Sequence, residues 1–129
     1  MKSQERDLMH KLSTITNRNF WEAPNQYSYY DCETSNAIVE LKVRGKVYAE
    51  KLIELSKMAR NLQLAEELGK SFVYVVQDPS GIYYANVSEM SRQILMKEPS
   101  MIPCPVTTEF GNSKIIEKAC YTIKMKKIQ

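Results

Sequence analysis

The sequence predicts an α/β domain in which a mixed central β-sheet is flanked by helices. Three observations carry that expectation. Residues 3–16 and 47–68 place apolar side chains at helical spacing. Residues 30–44 form two short strands around a tight polar turn, and the second strand alternates apolar with polar positions. Residues 71–77 are a nearly continuous apolar run, the mark of a strand covered on both faces.

The elements follow in order. In the first helix Leu8, Leu12 and Ile15 share a stripe with Met9 beside them, and Ser3 before the first-turn acids suits an N-cap. Residues 17–26, with Phe20, Trp21 and Pro24, are expected as a loop. Residues 27–33 and 37–43 are the hairpin, ended by Gly45. The second helix, 47–68, has its stripe at Leu52, Leu55, Ala59, Leu62 and Ala65 or Glu66, and Gly69 closes it. Strand 71–77 leads through the turn Asp78-Pro79-Ser80-Gly81 into a strand at 82–86. The order helix, strand, strand, helix, strand, strand, with a right-handed crossover, sets the Glu40 and Val75 strands parallel and adjacent. Beyond residue 87 the pattern thins. Residues 90–95 suit a short helical turn, Pro99, Pro103 and Pro105 argue against regular structure, and residues 114–128 suit a terminal strand or strand pair with a basic end.

With 129 residues, 43% of them hydrophobic, the chain suffices for one domain and one sizeable core, with residues 3–86 as the core and 87–129 as an extension. A net charge of +3 permits a polyanionic partner without demanding one. Cys32, Cys104 and Cys120 have no metal-site spacing, and His10 is the single histidine. Free thiols in a reducing, cytoplasmic setting are expected. No run of about 18 apolar residues is present, so neither a membrane span nor a secretory leader is expected.

The chemistry gathers at the hairpin. Side chains alternate along a strand, so Glu40 and Lys42 project from one face while Val39, Leu41 and Val43 point to the other. A buried charge costs several kcal/mol (roughly) unless it is paired or binds a metal. Asp31 lies across the turn. Two carboxylates beside a lysine can hold a hard divalent cation, Mg²⁺ or Mn²⁺, next to a water to be deprotonated. Other readings stand at this level. Glu40 and Lys42 can be the wet face of an edge strand, and Asp31 can be a turn acid pairing with Arg44 or Lys42.

The series Asp31-x₈-Glu40-x-Lys42 on a hairpin after a helix resembles the PD-(D/E)XK nuclease superfamily, which has the restriction-endonuclease-like fold. The resemblance spans roughly residues 3–85 and is nearest to small phage and archaeal members, including Holliday-junction resolving enzymes. Tyr30 stands where the motif has its proline. The resemblance implies a metal-dependent DNA endonuclease, structure-selective or non-specific, that leaves 5′-phosphates and acts as a homodimer. It implies Asp31, Glu40 and Lys42 as catalytic residues, with Glu5 as the helical acid. Asp31, Glu40 and the carbonyl of Leu41 would hold the metal.

Gln77, Tyr48, Lys51, Arg44 and Lys46 are the candidates for touching DNA. Each has an ordinary alternative as a satisfied strand end or a solvated side chain, and Glu5 can simply favour the helix N-terminus. Tyr27, Tyr29 and Tyr30 can stack on bases or pack, and Lys124, Lys126 and Lys127 suit a solvated basic tail. A non-catalytic nucleic-acid-binding or assembly protein that keeps the fold is the alternative function. A metal-free ribonuclease would need more histidine than His10 offers.

Overall fold

The computed structural model describes residues 1–24, 29–105 and 115–129. Helix α1 (Ser3–Thr16) turns Leu8, Met9 and Leu12 inward, while Ile15 stays 39% exposed. Its N-cap is Lys2 rather than Ser3, and the Glu5 carboxylate accepts the Lys2 backbone N–H at 3.3 Å. Strands β1 (Trp21–Glu22), β2 (Cys32–Glu33) and β3 (Ala37–Val43) then form an antiparallel set. Two expectations change here. Trp21 and Glu22 leave the expected loop to pair with β2, and β2 itself is two residues long; Tyr27 and its neighbours at 25–28 lie outside the described residues.

The expected helix at 47–68 is two elements. Strand β4 (Lys51–Glu54) precedes helix α2 (Leu55–Leu68), so Tyr48 lies in an exposed loop and Lys51 opens a strand, not a helix. The Leu52-Ile53 pair suits either periodicity. Pairing of β4 with β8 (Ile115–Ile123), which buries Ile53, decides it. The later helix start also rotates the stripe: Met58, Asn61 and Ala65 are buried and Ala59 is exposed. Gly69 ends α2 as expected, at φ 67°, in the left-handed region that glycine adopts readily.

Strand β5 (Ser71–Asp78) runs parallel to β3, with Glu40 opposite Tyr74, Lys42 opposite Val76 and Val43 opposite Gln77. This is the parallel neighbour that the crossover requires. Strand β6 (Gly81–Asn86) returns antiparallel, and β9 (Lys126–Lys127) pairs with it, giving the mixed sheet β1-β2-β3-β5-β6-β9. Lys126 and Lys127 are thus an edge strand rather than a loose tail. A second sheet, β4-β8-β7, has β7 (Ser100–Pro105) at its edge. Pro103 and Pro105 therefore do not prevent a strand, since an edge tolerates missing N–H donors. Helix α3 (Val87–Leu95), longer than the expected turn, is capped by Asn86, whose side chain accepts the Glu89 N–H. The expected terminal strand pair is β8 and β9, although they join different sheets; Lys114 is outside the described residues.

Two apolar layers enclose the main sheet. On one face Leu8, Met9 and Leu12 of α1 pack with Val39, Leu41 and Val75. On the other, Ile38, Phe72, Tyr74 and Val76 pack with Met58 and Ala65 of α2, Val87 and Ile94 of α3, and Ile53 and Tyr121 of the second sheet. Strand alternation puts Glu40 and Lys42 on this second face, with Ile38. No described helix is long and apolar enough to cross a membrane.

Candidate active site

The site lies where β2 stops pairing with β3. The ladder ends at Cys32 opposite Val39, and the Asp31 backbone N–H still reaches the Val39 carbonyl at 2.9 Å. One step further, Oδ2 of Asp31 accepts the Leu41 backbone N–H at 2.7 Å. That bond fixes the Asp31 carboxylate beside the strand carrying Glu40 and Lys42. Burial pushes the Asp31 carboxyl above its ordinary value; the Leu41 N–H opposes this, and the charge of Glu5 on α1 adds to it.

Glu40 is 5% exposed. Its Oε1 has Lys42 Nζ at 3.7 Å and Lys57 Nζ of α2 at 4.0 Å, both beyond ordinary hydrogen-bond length. Burial raises the Glu40 carboxyl; the two ammoniums oppose it and Asp31 adds to it. Lys42 is pushed below its ordinary value by burial, with Glu40 opposing. Lys57 shows the reverse balance. Burial would lower it, but Glu40 and Glu54 outweigh that and hold its ammonium above the ordinary value. Glu54 in turn binds Lys57 at 3.2 Å and Lys118 of β8 at 3.0 Å.

The structure therefore brings Asp31, Glu40, Leu41 and Lys42 together, with Glu5 in electrostatic range of Asp31. Arg44 follows β3, donating its backbone N–H to the Gln77 carbonyl at 2.8 Å, and its charge is felt at Lys42. Lys46 and Tyr48 are exposed in the loop beyond.

Two candidates point elsewhere. Lys51 donates to buried Asp78 at 2.8 Å and to the Tyr48 carbonyl at 2.6 Å, and its ammonium lies 4.6 Å from the centre of the Tyr83 ring. Gln77 is opposite Val43, so alternation puts it on the α1 face, where it lines a groove with His10, Lys11 and Thr14. Of the tyrosines, Tyr30 is buried and donates to Glu33 at 2.8 Å. Tyr29 is 50% exposed, with the Arg60 guanidinium 4.1 Å from its ring centre.

Lys57, Glu54 and Lys118 had no place in the sequence-based site. A signal for one of them exists. Lys57 stands in the first turn of α2, where the helix dipole disfavours a cation, and Glu54 precedes it by three. Lys118 leaves no such trace, because its partner lies on a strand visible only after folding.

The donors suit a hard cation. Two carboxylates and a backbone carbonyl are oxygen ligands, and Mg²⁺ commonly takes one or two protein carboxylates and keeps waters for the rest. Glu40 is a buried carboxylate that neither ammonium reaches within hydrogen-bond distance. Among the described residues, no three His, Cys, Asp or Glu side chains gather, so an all-side-chain cage of the zinc kind is not formed.

No model of a known protein family matches the chain, and no curated protein matches it in sequence. A solved structure does match. It is Hjc from Archaeoglobus fulgidus, a Holliday junction resolvase from an archaeal hyperthermophile. The TM-score is 0.54 at 13% identity, over 92% of this chain and 87% of that one. The chain shares its fold with that resolvase.

Proposed function

We propose that this chain is a PD-(D/E)XK nuclease that hydrolyses DNA phosphodiester bonds with Mg²⁺, or Mn²⁺ in its place. The observation that carries the reading is the buried carboxylate of Glu40, on the strand whose Leu41 N–H fixes the Asp31 carboxylate, with Lys42 and Lys57 near it but, among the described residues, neither within ordinary hydrogen-bond distance. A fold shared with a junction resolvase supports it.

Asp31, Glu40 and the Leu41 carbonyl hold the cation in this reading. When bound, the metal polarises the phosphate and lowers the pKa of its water. Lys42 orients the attacking water and balances charge building on the phosphate. The water oxygen bonds to phosphorus, the P–O3′ bond breaks, and the 3′ oxygen leaves protonated, which gives a 5′-phosphate. Glu5 adds negative charge behind Asp31. Arg44, Lys46 and Tyr48, on the strand end and loop beyond Lys42, meet the DNA backbone in this reading, and Tyr29 with Arg60 offers a stacking face. Lys51 and Gln77 take no part, since one is bound to Asp78 and the other faces α1.

A compact nuclease core of this kind suits structure-selective or non-specific cleavage inside the cell. Cutting two strands of a junction symmetrically calls for a two-fold dimer, which mass measurement on a sizing column tests. The decisive assay incubates the protein with supercoiled plasmid, linear duplex, single strand and four-way junction, each with Mg²⁺, Mn²⁺ or chelator. Metal-dependent cleavage that disappears in Asp31→Asn, Glu40→Gln and Lys42→Ala is expected. Undiminished cleavage by folded Glu40→Gln would overturn the assignment.

The second reading, a binding protein without catalysis, draws on Lys42 and Lys57, which offset the Glu40 charge without any metal. It predicts DNA binding, no cleavage of any of the four substrates, and no Mn²⁺ uptake.

A further inference from the structure

Resting on the nuclease reading, we propose that Lys57 is a second catalytic ammonium, one that contacts the scissile phosphate from α2, and that Lys118 of β8 positions it through Glu54. Three features of the geometry lead there. Lys57 and Lys42 approach the same oxygen of Glu40 from different elements, at 4.0 and 3.7 Å. Lys42 is the more enclosed, at 25% side-chain exposure, and Lys57 keeps 40%, so Lys57 is the more accessible of the two to an incoming phosphate. Neither distance is a closed hydrogen bond, and an ammonium has three donors, so Lys57 keeps donors for a phosphate oxygen besides the one turned to Glu54 at 3.2 Å.

The local chemistry of α2 argues that this is not ordinary helix stabilisation. A first-turn lysine opposes the helix dipole, and a Ser, Thr, Asp or Asn at the N-cap would turn its side chain onto the helix N–H groups. Glu54 is the N-cap of α2 and makes no such side-chain bond. Its carboxylate instead divides between Lys57 at 3.2 Å and Lys118 at 3.0 Å. Burial alone would raise the Glu54 carboxyl, yet Lys118 first and then Lys57 hold it below its ordinary value, so it stays charged. β4 and β8 pair Glu54 directly with Cys120, two residues from Lys118 and on the same strand face. The second sheet therefore carries a cation that braces the acid that braces Lys57. This gives the segment beyond residue 87 a part in the chemistry.

In the proposed reaction Lys42 serves the incoming water, and Lys57 donates to a non-bridging phosphate oxygen, where charge grows as the P–O3′ bond breaks. Lys118 and Glu54 touch no reacting atom.

The test uses the full chain and Mn²⁺-driven cleavage of whichever of the four DNA substrates the wild type cuts, with Mn²⁺ binding by calorimetry and thermal unfolding alongside. Lys57→Gln should lower kcat tenfold or more, change KM for DNA less than threefold, and leave Mn²⁺ binding and the unfolding temperature near wild type. Lys57→Arg, which keeps the charge, should recover part of the loss. Lys118→Met should lower kcat several-fold alone and cost nothing further in Lys57→Gln; a bracing role that is only structural would cost the same in both backgrounds. A Lys57→Gln enzyme within twofold of wild-type kcat overturns the proposal while leaving the nuclease reading intact. A wild-type protein that takes up no Mn²⁺ and cuts none of the substrates removes both.

Discussion

Oδ2 of Asp31 and the backbone nitrogen of Leu41 lie 2.7 Å apart, so the carboxylate takes the donor that a longer β2 would have paired. The same side chain thus ends the hairpin ladder and fixes an oxygen ligand beside Glu40. Structure and chemistry can be separated by substitution. Asp31→Asn retains an acceptor for the Leu41 N–H and removes a buried charge, so the metal-free protein should unfold at or above the wild-type temperature, with Mn²⁺ binding lost. Asp31→Ala leaves that N–H unsatisfied and should cost about 1–3 kcal/mol besides. Equal urea midpoints for the two variants would sink this account of the bond.

Acid should release the metal earlier than ordinary carboxylates would. Burial raises both Asp31 and Glu40; the charge of Glu5 adds to it at Asp31, and the charge of Asp31 adds to it at Glu40. A protonated carboxyl cannot hold the cation, so Mn²⁺ affinity should fall as pH drops through values above the ordinary carboxylate range of about 4. The same shift makes the two ionised acids a cost to the metal-free fold at neutral pH. That cost is relieved as pH falls through the raised values. Calorimetric titration across pH 4 to 8, roughly, checks the first part, and an affinity that holds flat down to the ordinary range would contradict it.

Asp78 has the opposite sign. Its hydrogen bonds from Lys51 and then Ser80 hold it at about 2, below the ordinary 3.8. A carboxyl lowered on folding stabilises the native state above its unfolded value and loses that contribution as pH falls through the folded one. Asp78→Asn should therefore flatten the loss of stability between pH 3.8 and about 2. Acid unfolding curves that superimpose for wild type and variant would show that the Lys51–Asp78 pair contributes nothing.

Gly81 opens β6 at φ 146°, and a Cβ there would collide with the backbone carbonyl oxygen of Gln129. That carbonyl is held in place by the Ile82 N–H at 2.8 Å. Gly81→Ala should destabilise the fold by about 1–3 kcal/mol through backbone strain, with Mn²⁺ binding at Asp31 and Glu40 unchanged once folded. Urea unfolding compares the two proteins; an alanine variant as stable as wild type would refute the close approach.

Much of the fold was legible because it is encoded locally. The apolar run at 71–77, the glycine at 69 and the alternation around Glu40 are short-range patterns, and chain chirality then requires β3 and β5 to lie parallel. The hairpin set was visible for the same reason: Asp31, Glu40 and Lys42 are separated by one turn, so strand alternation alone determines which of them share a face. Gln77 could not be assigned to a face for want of a register. Only the pairing of Val43 with Gln77 reveals that it faces α1.

What the sequence determined by itself was the order of the main elements and the acid–lysine set on one strand, because two-residue and 3.6-residue periodicities act within a few residues. What only the tertiary structure decided was the partner of each segment separated by a long stretch of chain. Leu52 and Ile53 became a strand because β8 offered a ladder and a buried slot, some 70 residues later in the chain, beside Tyr121. Lys118 reached Glu54, and Lys57 reached Glu40, by the same closure. Such contacts depend on the free energy of burying whole faces against each other, a property of the assembled chain that no window of sequence contains.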